Sequence, residues 1–304
     1  MKVIQPKISL IFVLAFAVIA FSQTSLRTIT VKTAPNAKVW IDGVLRGTTD
    51  ETGELKVFPV IRGSKSIRVR ADGFAEQSKP IVPKAATVQI TLQKTFDPAE
   101  LAFQEGERAL ETDSQKAALL YKKAISLRKN YAEANVALAR VLSTTNSEGA
   151  HAAIAAARKI RPVYPEASAV EGRIYRDNGD LDNAIDSFDR AVKEGKGFQP
   201  EALTGLGLLF KGEAEESRTQ NDTEYEKFYY NEAAKNFEAA INQLAATEPV
   251  VYFLLGEVYE RLEQPKKAIA VYQRFLKDFP KDEERMAAES MIKQLLVQLE
   301  EGNN

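Results

Sequence analysis

A small antiparallel β-sandwich followed by an all-α solenoid is the fold class predicted by this 304-residue sequence. Two patterns carry the prediction. Between residues 23 and 95, runs such as "TITVKT", "AKVWIDG" and "SIRVRADG" alternate large apolar with polar residues, and turn residues separate them. From residue 96 onward, small and aromatic residues recur at helical spacing, as in "YFLLGEVYERLEQPKKAIAVYQRFLKDFP". A helical hairpin of that kind cannot bury its apolar face alone, so hairpins must stack. Charge divides the same two segments. Residues 23–95 carry 12 Lys/Arg against 6 Asp/Glu, and residues 96–304 carry 27 against 36.

Residues 1–22 stand apart. Lys2 and Lys7 precede the apolar run "ISLIFVLAFAVIA", and small residues follow at Ala20 and Ser22. This is the pattern of a secretory signal peptide cleaved after Ser22; read instead as a retained anchor, the run is short for a bilayer span. An exported protein of the bacterial periplasm or cell envelope is expected, with no transmembrane span once the leader is removed. The chain has no cysteine. Disulfides, thiolate metal sites and a cysteine nucleophile are therefore excluded, and packing alone must hold the fold.

In the basic segment, Asp42-Gly43 and Asp72-Gly73 are hairpin or bulge signals, and Gly47–Glu54 is a loop by composition. The stretches "APNAKVWIDGVLRGTT" and "RGSKSIRVRADGF" resemble the PEGA family over about residues 27–95, with Pro35-Asn36-Ala37 where the naming motif would stand. "TDETGELKVFPVIRGSKSIRVRADGF" is also similar to carboxypeptidase regulatory-like sandwiches, which leaves strand order open. Both resemblances imply a noncatalytic β module common on cell-envelope proteins. Its positive charge suits an anionic envelope surface, polymer or partner. The alternative is a polysaccharide- or wall-polymer-binding protein that uses Trp40, although a lone Trp on an alternating strand is more often core.

The helical segment repeats itself. Gly172, Tyr175, Ala184, Phe188 and Ala191 keep the spacings of Gly256, Tyr259, Ala268, Tyr272 and Phe275. Gly106 with Ala117, Tyr121 and Ala124, then Ala150, Ile154, Ala157 and Pro162, supply two earlier units. Gly207 and Phe210 with Ala233, Phe237 and Ala240 supply a fourth. These residues resemble the tetratricopeptide repeat, a 34-residue helical hairpin. Five units over 96–282 are expected, with a long insertion in the fourth at about 212–230 that extends both helices by roughly 10 Å. Residues 283–304 form a capping helix and tail, with Met286, Ile292, Leu295, Leu296 and Leu299 on its apolar side. Asp97 with a reciprocal Glu100, and Ser114, Ser147, Asp180 and Thr223, are expected helix caps, Thr223 forming a capping box with Glu226.

The repeat resemblance implies a concave groove that takes a protein or peptide segment. By that resemblance Arg140, Arg173, Arg176 and Lys211 face the groove, Phe103 lies near its start, and Phe253 and Glu257 lie near its end. A basic middle favours a partner with an acidic or carboxylate-bearing segment. Tyr225, Phe228, Tyr229 and Tyr230 stand on the insertion as contact residues of a projecting tip or as its packing. Catalysis has nothing to stand on. His151 is the only histidine, "DNGDLDNAID" fails the calcium-loop spacing, and "GLG" at Gly205–Gly207 lacks a third glycine and a preceding strand. No catalytic, cofactor-binding or metal residue is expected, and no nucleic-acid partner. The function read from sequence is a noncatalytic interaction scaffold.

Overall fold

The computed structural model describes residues 27–60, 64 and 66–301; the expected leader lies outside them. Seven strands come first among the described residues: β1 (Arg27–Lys32), β2 (Lys38–Ile41), β3 (Val44–Thr48), β4 (Glu54–Val60), β5 (Ser66–Arg70), β6 (Gln77–Pro80) and β7 (Thr87–Gln89). They form two sheets, β4-β1-β7 and β3-β2-β5-β6. Strand residues point alternately to opposite faces, so Ile29, Val31, Val39, Ile41, Val57, Ile67 and Val69 meet in one buried cluster.

Pairing is not antiparallel throughout. β1 runs antiparallel to β4 but parallel to β7, with Thr30 opposite Thr87 and Lys32 opposite Gln89. Alternation in the sequence marks which face is buried and carries no information on strand direction. The chain leaves β6 in one sheet and enters β7 in the other, and that crossing sets the parallel pair.

Eleven helices follow among the described residues: α1 (Pro98–Ala109), α2 (Ser114–Leu127), α3 (Ala132–Leu142), α4 (Ser147–Ile160), α5 (Pro165–Asp177), α6 (Leu181–Glu194), α7 (Pro200–Thr219), α8 (Thr223–Leu244), α9 (Val250–Arg261), α10 (Pro265–Asp278) and α11 (Arg285–Glu301). The first ten pair into five hairpins. Within four of these, a glycine on the first helix receives a ring from the second. A Cβ added to Gly106, Gly172, Gly207 or Gly256 would lie 2.7, 2.6, 2.5 or 2.3 Å from Tyr121, Phe188, Phe237 or Tyr272. These glycines serve approach rather than backbone freedom. Each buried ring contributes about 1.5–3 kcal/mol of apolar burial, and the close approach makes that burial possible.

Neighbouring hairpins are also tied by polar contacts. Arg128 lies 4.1 Å over the Tyr131 ring and pairs with Asp97 of the preceding hairpin. Arg161 repeats the device, 4.3 Å over Tyr164 and paired with Glu133. Glu194 on α6 accepts from Arg158 Nη2 at 2.8 Å, Ser168 Oγ at 2.8 Å and Tyr164 N at 3.2 Å, joining three helices' ends. α7 has 20 residues and α8 has 22, against 13 in α5 and 14 in α6, so this hairpin projects beyond its neighbours.

Several end-of-helix expectations are corrected. The caps are Asp113, Asn146 and Asp222, one residue before Ser114, Ser147 and Thr223; their side chains accept from the backbone N–H of Lys116, Gly149 and Tyr225. Asp and Asn cap at least as well as Ser and Thr, so the helices begin one residue earlier and the Thr223–Glu226 box is not made. Asp97 caps α1 as expected, but Glu100 turns inward to accept from Gln104 and the Tyr131 hydroxyl. In α11 the packed residues are Ala288 and Leu295, with Met291, Ile292 and Leu299 beside them. Met286 is 81% exposed and Leu296 47%, because the helix presents a neighbouring stripe to α10.

Candidate partner-binding cleft

The β module does not hang free. Arg70, 8% exposed at the end of β5, pairs with Glu76 at 2.5 Å and with Glu107 of α1 at 2.6 Å. Its guanidinium lies 4.7 Å over the Phe103 ring, so Phe103 belongs to this joint and not to an open groove. Burial lowers the Arg70 pKa, but attraction to Glu107 and Glu76 outweighs it and the net direction is upward. Gln104, 2% exposed, accepts from Gly73 N at 2.9 Å and donates to Phe74 O at 2.8 Å. Asp72 pairs with Arg108 at 2.6 Å and Lys38 with Glu111 at 3.8 Å. Part of the charge difference between the two segments is thus neutralised inside the chain. Arg70 and Gln104 were not singled out in the sequence; the visible signal was an Arg placed next to the inward positions Ile67 and Val69.

This docking places the β2–β3 hairpin opposite the first helices of the array. Between them lies a cleft of about 650 Å³. Trp40, Leu45 and Arg68 form one wall, and residues of α3, α5 and α7, including Arg140, Arg173, Arg176 and Thr204, form the other. Three of the four expected groove cations therefore meet. Lys211 does not line the cleft; it pairs with Glu215 at 2.5 Å and Glu257 at 3.3 Å, which raise its pKa against the opposing effect of burial.

The expected basic middle is corrected. Arg140 donates through both terminal nitrogens to Glu201, at the start of α7, 61 residues away. Arg176 donates to Asp177 from Nε at 3.0 Å and Nη2 at 2.7 Å. Asp42, Glu133, Glu166, Glu201 and Glu248 line the same cleft as the arginines. The repeat resemblance implies which cations share a face but not which distant carboxylate answers them. Arg173 is the exception: its Nη1 is 4.0 Å from Glu201, already held by Arg140, and its Nε is buried without a hydrogen-bond partner. Burial, then the neighbouring Arg140 charge, lowers the Arg173 pKa.

The remaining candidates lie elsewhere. Phe253 packs against Tyr272 and Phe275 at ring distances of 5.8 and 4.8 Å, inside its own hairpin. The repeat resemblance placed it near the groove, but the last hairpin turns that position toward its second helix. On the long hairpin, Tyr225 and Phe228 are 57% and 54% exposed, while Tyr229 stacks on Phe210 and Tyr230 is fully buried. His151 packs against the Tyr175 ring, tilted at 46° with centroids 4.5 Å apart. Arg68 lies 4.5 Å over the Trp40 ring, covering one of the faces that a sugar would need. Among the described residues no cluster of His, Asp or Glu has metal-binding geometry, and no helix is long and apolar enough to cross a membrane.

Residues 142–202 and residues 249–289 each match a family described as the tetratricopeptide repeat. The helical array contains tetratricopeptide repeats, a fold that generally mediates protein–protein interaction and typically is a noncatalytic scaffold. No curated protein matches the chain by sequence. Among solved structures, yeast Tom70 is similar with a TM-score of 0.53 at 16% identity, covering 67% of this chain and 41% of that one. A thermophilic TPR protein of Thermus thermophilus gives 0.47 at 16% identity, over 66% of this chain and 99% of that one. MamA gives 0.43 at 17% identity, over 62% and 94%. At 16% identity the likeness to Tom70 is one of fold.

Proposed function

We propose that this protein is an exported interaction scaffold of the cell envelope whose repeat array holds a carboxylate-bearing segment of a protein partner in the interdomain cleft. The observation that carries the reading is Arg173, a guanidinium whose carboxylate neighbour is already engaged, in a cleft of about 650 Å³. An arriving carboxylate gains a charge-assisted hydrogen bond there without displacing the close Arg140–Glu201 pair. Arg140 and Lys211, held by Glu201 and by Glu215 with Glu257, shape the array instead. Export rests on residues 1–22, and attachment to an anionic surface rests on the β-module cations outside the joint.

The test is capture of native partners from envelope extract by the full chain and by Arg173→Glu. Reversal should weaken capture by about tenfold, and rising salt should weaken the native protein's capture too. Undiminished capture by Arg173→Glu, with its circular dichroism unchanged, overturns the assignment. Export is tested separately: the mature protein's first residue should be Gln23.

A further inference from the structure

We propose that the cleft is a two-walled clasp for a short peptide segment, in which the β2–β3 hairpin is the second wall and the Arg70–Gln104 joint sets the width. The inference rests on the reading of the cleft as the partner site. It adds that the β module contributes to that site.

Three observations carry it. The hairpin turns through Asp42 and Gly43, both with positive φ, at 49° and 87°. A Cβ added at Gly43 would lie 4.0 Å from Glu166 Oε1 at the start of α5, so the hairpin tip reaches the array. Just behind it Leu45, 45% exposed, lines the cleft as an apolar contact.

The polar groups left over specify a peptide. Arg173 is under-compensated, as described. Glu166 is under-compensated too: one unit earlier Glu133 is taken by Arg161, but Gly195 stands where the next such arginine would be. The Glu166 carboxylate makes no hydrogen bond or ion pair among the described residues, and the cations that attract it, Arg140 and Arg161, are already paired with Glu201 and Glu133. A peptide segment offers a carboxylate to Arg173 and N–H donors to Glu166 together, with an apolar side chain for Leu45. A volume of about 650 Å³ is that of a small-ligand pocket, so the segment is short.

Neither Arg70 nor Gln104 lines the cleft, yet their contacts to Glu107, Gly73 and Phe74 hold the hairpin where it is. They are positioning residues, and that makes the idea testable apart from the site itself. The probe is a pool of labelled hexapeptides, each carrying Asp or Glu, with an Asn/Gln counterpart pool as control, titrated into the full chain. Trp40, the only tryptophan, reports entry to the cleft by its emission.

The acidic pool should bind the native chain, shift Trp40 emission and outbind the control pool. Leu45→Asp, Arg70→Ala and Gln104→Ala should each weaken binding by about fivefold to tenfold, with helix content unchanged. Leu45→Asp and Gln104→Ala decide the matter if Arg70→Ala unfolds the β module. Binding that Arg173→Gln weakens while these variants leave it unchanged overturns the clasp and leaves the groove reading standing. No preference for the acidic pool, or no binding, overturns both.

Discussion

The Tyr230 hydroxyl is buried and has no hydrogen-bond partner among the described residues. An unsatisfied buried hydroxyl costs about 1–3 kcal/mol, while the ring beneath it fills the seam of the long hairpin. Tyr230→Phe should therefore raise the free energy of unfolding by about 1 kcal/mol in urea titration; a loss of stability would mean the hydroxyl is satisfied. Two glycines give opposite expectations. At Gly256 a Cβ meets the Tyr272 ring, which is buried and held through its hydroxyl to Glu260 at 2.7 Å, so the ring cannot swing away. Gly256→Ala should lower stability by about 1–3 kcal/mol by overpacking. Gly212 lies within α7 with nothing within 4 Å of its added Cβ. Gly212→Ala should raise stability by about 0.5–1 kcal/mol, since only the helical entropy cost of glycine changes. Equal effects at the two sites would contradict the packing assigned to the repeat glycine.

Polar contacts also join the elements, and Glu194 at the end of α6 is among the most connected. Burial raises its pKa, but hydrogen bonds from Arg158 and Ser168 more than offset this and hold it below the ordinary glutamate range. A carboxylate depressed in the folded state contributes stability above its unfolded pKa of about 4.3 and loses it as pH falls through the folded value. Glu194→Gln should lower stability at neutral pH and make the loss of stability shallower as pH drops below about 4–5. An acid limb as steep as that of the native chain would place the titration elsewhere. α11 works differently, by covering. Ala288 is fully buried and Leu295 is 4% exposed against the last hairpin. Ending the chain after Lys281 should expose that face and lower the melting temperature and solubility. A truncated chain that melts like the full one would show that the helix does not cap.

Across the whole molecule, the repeat architecture was legible because Gly172, Phe188, Gly256 and Tyr272 report one packing problem solved twice at one spacing. The strands were legible by alternation, while the parallel β1–β7 pair was not, since direction is set by how the chain crosses between sheets. The cleft was half legible. The repeat resemblance gathered Arg140, Arg173 and Arg176, but the Arg140–Glu201 pair spans 61 residues and three hairpins, and local patterns carry no trace of it. The joint was the least visible part. Arg70 reads as an ordinary strand cation until α1 brings Glu107 and Phe103 against it.

The central claim is that a partner segment sits in the interdomain cleft and is held there by Arg173. Site-specific photo-cross-linking in native cells tests it most directly, with the cross-linker placed at Thr204 in the cleft or at Phe228 on the projecting tip, followed by mass spectrometry of the adducts. The account predicts adducts of one acidic segment at Thr204 that disappear in the Arg173→Glu background. Adducts confined to Phe228, or adducts at Thr204 indifferent to Arg173→Glu, would contradict it.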